Sequence, residues 1–254
     1  MKKTAKHSTI DRDEVAQFDS LGNKWWDENG PMAPLHRLNP VRLQYIRDMI
    51  CAHKGRAGDA VVALKGLSVA DVGCGGGLVA EPLCRMGAAV TGIDAGKENI
   101  RTARAHAARH GLDIEYLAST VEDVAEAGKK FDAVTALEII EHVSDPELFI
   151  DSCCKVLKKD GVLILSTLNR TAKSFALGIV AAEYILRWLP AGTHDWKKFM
   201  KPSEVARLLE KNGMRVTDVR GLVYNPFSRA FSLSKGDLDV NYLLTAVKTP
   251  LSRE

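Results

Sequence analysis

The 254-residue chain is 46% hydrophobic and 26% charged, which gives it enough apolar material for a sizeable core and excludes a disordered chain. Lys+Arg 35 against Asp+Glu 32 leaves a net charge of +3, and with no long Lys/Arg run that excess does not argue for nucleic acid. Five cysteines form no C-x-x-C pair, as expected of a reducing compartment.

The opening MKKTAKHSTIDRDE has charge but no apolar run, so it does not read as a secretory signal. Residues 1 to about 60 read as a helical cap. Asp11 is its first N-cap, with Glu14 placed as in a capping box, and Val15, Phe18 and Leu21 at helical spacing. Gly30-Pro31 and Pro34 break the chain. A second helix is expected after Asn39-Pro40, with Val41, Leu43, Tyr45, Ile46, Met49 and Ile50 as its apolar set. KGRAGDA (54–60) reads as a surface loop.

Residues 61–254 read as the main domain. LSVADVG, AAVTGID, DIEYLAS, FDAVTAL and GVLILST are strands, and helices are expected at 78–86, 97–110 and PELFIDSCCKVL. Such alternation predicts an α/β fold with a mostly parallel sheet and helices on both faces. After a helix at 202–212, MRVTDVRGLV and DVNYLLTAVK have no helix between them and predict an antiparallel pair at the sheet edge.

The sharpest motif is Asp71-Val72-Gly73-Cys74-Gly75-Gly76-Gly77, a buried strand entering a Gly-rich turn that opens a helix. Glycines let backbone approach a ligand, and the helix start supplies free N–H groups. Asp94, ending the next strand, is placed to accept both hydroxyls of a ribose. A dinucleotide fingerprint needs Gly at position 78, which is Leu. The D-V-G-C-G-x-G form instead resembles motif I of the class I S-adenosylmethionine (SAM) methyltransferases, whose seven-stranded Rossmann-like sheet ends in a reversed edge pair.

Further segments narrow the likeness. WWDENGPMAPLHRLNPVRLQYI, LEIIEHVSDP, STLNRTAKSF, EYILRWLPAGTHDWKKF and YNPF…DVNYLLTA together resemble the ubiquinone-biosynthesis O-methyltransferase family, from about residue 11 to 248. That resemblance implies SAM as cofactor. It implies O-methylation of a phenolic hydroxyl on a polyprenylated ring, with one bacterial protein serving both such steps. It also implies that Arg42 reaches the SAM carboxylate and that Gly73 and Gly75 face methionine and ribose. Asp94 would hold the ribose, Thr120 to Asp123 would lie by the adenine, and Leu137 by the sulfonium. Arg42 as a surface arginine and Leu137 as plain core are the alternatives.

A neutral phenol has a pKa of about 10 and is a poor nucleophile, so the reaction needs a base or a metal. Glu138, Glu141 and His142 stand at i, i+3, i+4 and share a face if the segment is helical. Two carboxylates and an imidazole suit a divalent ion such as Mg2+. The alternatives are His142 as direct base, or a generic pocket lining. Asn169 and Arg170 follow the fifth strand, and His194 and Asp195 lie in the specific GTHD segment. Each is a candidate for the acceptor pocket, and the last two read equally as a loop hydrogen bond. Trp25 and Trp26 cover the cofactor or pack a helix.

The insertion at 171–200 is longer than a compact connection needs. Its apolar part, 174–190, ends in Trp188-Leu189-Pro190 and is followed by Lys197, Lys198 and Lys201. This pattern suits an anionic membrane surface carrying the prenylated substrate. A buried lid or a dimer contact is the alternative. The expected location is the bacterial cytoplasm, at the inner face of its membrane. Other enzymes of the pathway are candidate partners. The rival functions are methylation of another lipid or small phenol, and a non-catalytic scaffold.

Overall fold

The computed structural model describes residues 8–176, 195–228 and 230–249. The first helix, α1 (Arg12–Asp19), starts where its cap predicts, with the Asp11 carboxylate accepting from the Asp13 and Glu14 N–H groups. The capping box is not closed, because the Glu14 carboxylate turns away to His142 and Lys198. A 3-10 turn (Gly22–Trp26) leads to α2 (Ala33–His53).

The helix α2 corrects the expectation of a start after Pro40. Pro34 sits in its first turn, where a missing N–H leaves no bond unmade, and Pro40 is carried inside. An internal proline costs roughly 3 kcal/mol. Leu38, Tyr45, Ile46 and Ile50 are all buried on the sheet, and each such side chain returns about 1.5–3 kcal/mol.

The alternating region follows in the order β1 (Ser68–Val72), α3 (Ala80–Arg85), β2 (Ala89–Asp94), α4 (Lys97–Arg109), β3 (Glu115–Ala118), α5 (Val121–Glu126), β4 (Phe131–Leu137), a 3-10 turn (Ile140–His142), α6 (Pro146–Lys155) and β5 (Leu157–Leu168). Then come α7 (Ala172–Ser174), a 3-10 turn (Trp196–Lys198), α8 (Pro202–Lys211), β6 (Met214–Asn225), β7 (Ala230–Ser234) and β8 (Asn241–Lys248). The sheet runs β3-β2-β1-β4-β5-β8-β6-β7. The first five strands are parallel. β8 is antiparallel to β5 and to β6, and β6 to β7.

The sheet thus has eight strands where seven were expected, and β8 lies between β5 and β6. The added strand, β7, is the half-exposed AFSLS segment on the far edge. Too short and too polar to stand out in sequence, it is held by pairing with Gly221–Asn225. The helix α5 also went unread.

The core has two halves, one on each face. On β5, Val162 and Ile164 join α2, α3 and α4, whereas Leu163 and Leu165 join α5, α6 and α8. Covering both faces of a parallel sheet explains why its strands read as continuous apolar runs. The chain winds from β1 outward to β3, then returns to β4 and β5. The switch point falls between β1 and β4, where a crevice opens at the carboxyl ends of the strands.

Candidate active site

A cavity of about 660 Å3 opens at that switch point, lined by residues from α1, α2, the Gly-rich loop, the ends of β2 and β4, and the β6–β7 hairpin. Gly73 lies on its wall with φ 74°, a backbone region open to glycine. Gly75 lies behind the wall, at φ 51°. A side-chain carbon there would fall 2.4 Å from Trp25 Cη2.

Asp94 organises this end. Its carboxylate accepts the N–H groups of Gly75 at 2.9 Å and Gly96 at 2.8 Å. The Asn99 side chain adds a bond at 3.2 Å. Burial raises the pKa of Asp94, and those bonds oppose the rise. The indole N–H of Trp25 donates to Asn99 at 2.8 Å, and that of Trp26 to the Gly76 carbonyl at 2.9 Å. The two tryptophans therefore fasten the loop, and Trp25 also lines the cavity. Thr120 caps α5 by accepting from Asp123 N–H. Ser119, Thr120, Val121 and Glu122 form the adjoining wall.

Arg42 is buried and on the wall, so it is not a surface arginine. It donates to Asn39 at 2.9 Å, and its Nε has no partner. Burial pulls its pKa down while Glu138 and Asp71 hold it up. Nearby, Asp71 is pushed up to about 7 by burial, with Thr135 and Arg42 opposing. Its Oδ2 is also unpartnered. A cationic fork with unspent donor capacity is what a ligand carboxylate requires. Leu137 lies on the same wall and is 8% exposed, so both readings of it describe one position.

The Glu138–His142 segment is not α-helical: only Ile140–His142 form a 3-10 turn, Glu138 lies ahead of it, and the shared i, i+3, i+4 face does not form. Glu138 takes φ 50°, the single positive value among the described non-glycine residues, a strain of order 1–3 kcal/mol. Its Oε1 is held by Ser166 at 2.7 Å and Asn241 at 3.1 Å. Glu141 lies behind the wall, bonded by Thr167 at 2.8 Å, with Oε1 unpartnered. Burial pushes it up to about 7. The ligating atoms of the three do not gather within 4.8 Å of one another. Glu138 and His142 stand on the wall, and Glu141 behind it is held by Thr167.

His142 is drawn instead toward α1. Its Nδ1 is 3.0 Å from Glu14 Oε2, and Phe18 meets its ring edge-on at 5.0 Å. Lys198 donates to Glu14 Oε1 at 2.9 Å. Burial acts to lower the His142 pKa, but the Glu14 bond and the charges of Glu141, Glu14 and Glu138 outweigh it, and the net shift is upward.

Other expected residues stand elsewhere. The Asn169 amide donates to the Leu238 carbonyl at 2.9 Å, and Arg170 pairs with Glu204; neither lines the cavity. Asp195 caps the 3-10 turn at Trp196 and is exposed, which leaves it the loop-bond reading. His194 and residues 177–194 of the apolar insertion lie outside the described residues. Sequence reasoning missed Glu14, whose capping position concealed it, and Asn241. It also passed over Asp71, although that residue opens the D-V-G motif.

Comparison with known proteins agrees with this architecture. A methyltransferase domain family matches residues 70–165. A "Ubiquinone biosynthesis O-methyltransferase" of Methylobacterium nodulans is 50% identical over 94% of this chain and 95% of its own. The protein of that name in Dinoroseobacter shibae is 47% identical over 96% and 99%. Among solved structures, magnesium protoporphyrin IX methyltransferase from Synechocystis with bound SAH aligns at TM-score 0.63 and 18% identity, over 93% of this chain and all of its own. A plantazolicin methyltransferase with SAH aligns at 0.64 and 15%, over 94% and 98%. Those two carry the fold, a class I SAM-methyltransferase α/β sheet.

Proposed function

The chain belongs to the ubiquinone biosynthesis O-methyltransferase family, and we propose on that premise that it methylates a phenolic hydroxyl of polyprenylated ring intermediates at both O-methylation steps of that synthesis. It is a SAM-dependent O-methyltransferase. Neither another phenol nor a scaffold role is favoured.

The observation that carries the chemistry is His142 on the cavity wall with its Nδ1 on Glu14. Methyl transfer is an in-line displacement. The phenol oxygen forms a bond to the methyl carbon as the carbon–sulfur bond breaks. The electron pair of that bond goes to sulfur, leaving S-adenosylhomocysteine, and the phenol proton goes to His142. Glu14 fixes the imidazole orientation and stabilises the imidazolium that results. Asp94 takes the ribose hydroxyls and Arg42 the SAM carboxylate, while Trp25 and Trp26 hold the loop in shape. These contacts place the methyl group for attack, which is the main contribution a protein makes to such a transfer.

The test is transfer of labelled methyl from SAM to a short-chain demethylubiquinol, with EDTA and with added Mg2+. Activity indifferent to EDTA supports His142 as base. Activity that EDTA removes and Mg2+ restores overturns that step and returns Glu138, Glu141 and His142 to a metal role. No transfer, from protein that binds SAM, overturns the substrate.

We also propose that the enzyme works at the inner face of the cytoplasmic membrane, where a prenylated substrate dissolves. No helix among the described residues is long and apolar enough to cross a membrane. What supports a peripheral contact is the β6–β7 hairpin. Its Tyr224, Pro226 and Phe231 line the cavity, and Phe227, next to Pro226 in the chain, is 98% exposed. Phe175, opening the apolar insertion, is 48% exposed.

A further inference from the structure

Apart from this cavity, α3 and α4 bring together Glu81, His106 and His110, with one ligating atom of each within 4.8 Å of the other two. His106 stands in the last turn of α4 and His110, four residues on, caps its C-terminal end; their ring centroids are separated by 4.3 Å, a spacing that lets two imidazoles reach one cation. The Glu81 residue is 1% exposed, and its Oε1 lies 2.6 Å from His106 Nδ1. His110 Nδ1 is 2.9 Å from the His106 carbonyl. A carbonyl only accepts, so the proton is on Nδ1 and the lone pair on Nε2, the tautomer a metal ligand needs. The Trp26 ring stacks on His106 at 3.5 Å and 7°. The His106 ring is therefore clamped between Trp26 and Glu81 before any ligand arrives.

We propose that Glu81, His106 and His110 form a binding site for one borderline divalent cation of the Zn2+ or Co2+ type. Two imidazoles and a carboxylate are the donors such ions select, and a hard ion such as Mg2+ is not. Metal–ligand bonds of about 2.0–2.2 Å require small side-chain rotations: Glu81 Oε1 and His106 Nδ1, now 2.6 Å apart, open to admit the ion, and His110 closes on it. The cation takes the place of the proton now shared by Glu81 and His106. It ties α3 to α4, and through the stack on Trp26 and the Trp26–Gly76 bond it borders the cofactor loop.

Co2+ titrated into the full-length protein tests this by its visible d–d absorption. The expected result is one bound equivalent. His110→Ala, at an exposed position, weakens it by about tenfold or more while leaving S-adenosylhomocysteine affinity unchanged. His142→Gln keeps the wild-type bands. Wild-type Co2+ affinity in His110→Ala, loss of the bands in His142→Gln, thiolate charge-transfer bands, or no bound Co2+ each overturns the proposal.

Discussion

Glu14 Oε2 lies 3.0 Å from His142 Nδ1, joining positions 128 residues apart in the chain. The bond to His142 is the main reason the Glu14 carboxyl is held down at about 2, against the opposing effect of burial and with help from Lys198. His142 is correspondingly raised. The signs of the linkage differ. A depressed carboxyl adds stability above its ordinary value of 4.5, lost as pH falls toward about 2. A raised imidazole adds stability below its ordinary value of 6.5, lost as pH climbs past its folded value.

Glu14→Gln removes the charge that holds the imidazolium. His142 must be neutral to take a proton, so activity rises through its folded pKa. The variant's acidic limb in kcat/KM should shift to lower pH, while the plateau falls by about tenfold as orientation is lost; His142→Ala should cost about 10²–10⁴. A pH–rate profile checks both. An unmoved limb in Glu14→Gln rules out the pairing as a catalytic device.

Arg42→Ala should weaken SAM binding by about 10- to 100-fold, since charged hydrogen bonds contribute roughly 1.5–3 kcal/mol. Calorimetric titration with SAM reads the loss. Titration with a SAM analogue lacking the carboxylate should show little difference between variant and wild type. Equal losses for both ligands would place Arg42 in the scaffold rather than on the cofactor.

Gly75→Ala combines a left-handed backbone with a carbon 2.4 Å from the Trp25 ring. The backbone strain alone is about 1–2 kcal/mol. The variant should melt several degrees lower and bind SAM poorly, because Trp25 has to leave the loop. Gly128→Ala is a useful contrast. It shares a positive φ, 75°, with nothing within 4 Å of the added carbon, so it should lose stability yet keep SAM affinity.

Phe227→Asp should reduce co-sedimentation with anionic vesicles, and should lower turnover of a long-chain prenylated substrate while sparing a short-chain one. At 98% exposure the side chain supports no packing, so SAM binding and melting temperature should hold. Unchanged sedimentation would remove the hairpin from the membrane contact.

The sequence alone determined the parallel α/β sheet, the Gly-rich turn after β1 and the place of Asp94 at the end of β2, because strand periodicity, glycine spacing and strand ends are local properties that neighbouring residues specify. It placed the Asp11 cap and the helices α4, α6 and α8 to within a few residues for the same reason. Tertiary structure decided the rest. Whether Pro40 opened α2 or lay inside it depended on what the residues ahead of it pack against, buried Leu38 among them. Whether AFSLS became a strand depended on a partner edge at Gly221–Asn225. Glu138, Glu141 and His142 read as one face only if helical, and the turn after β4 split them, sending Glu141 to Thr167 and His142 to Glu14. That last partner was hidden by a sound local reading, a capping box, because a carboxylate takes whichever donor the fold brings nearest, and sequence spacing does not record distance across a sheet.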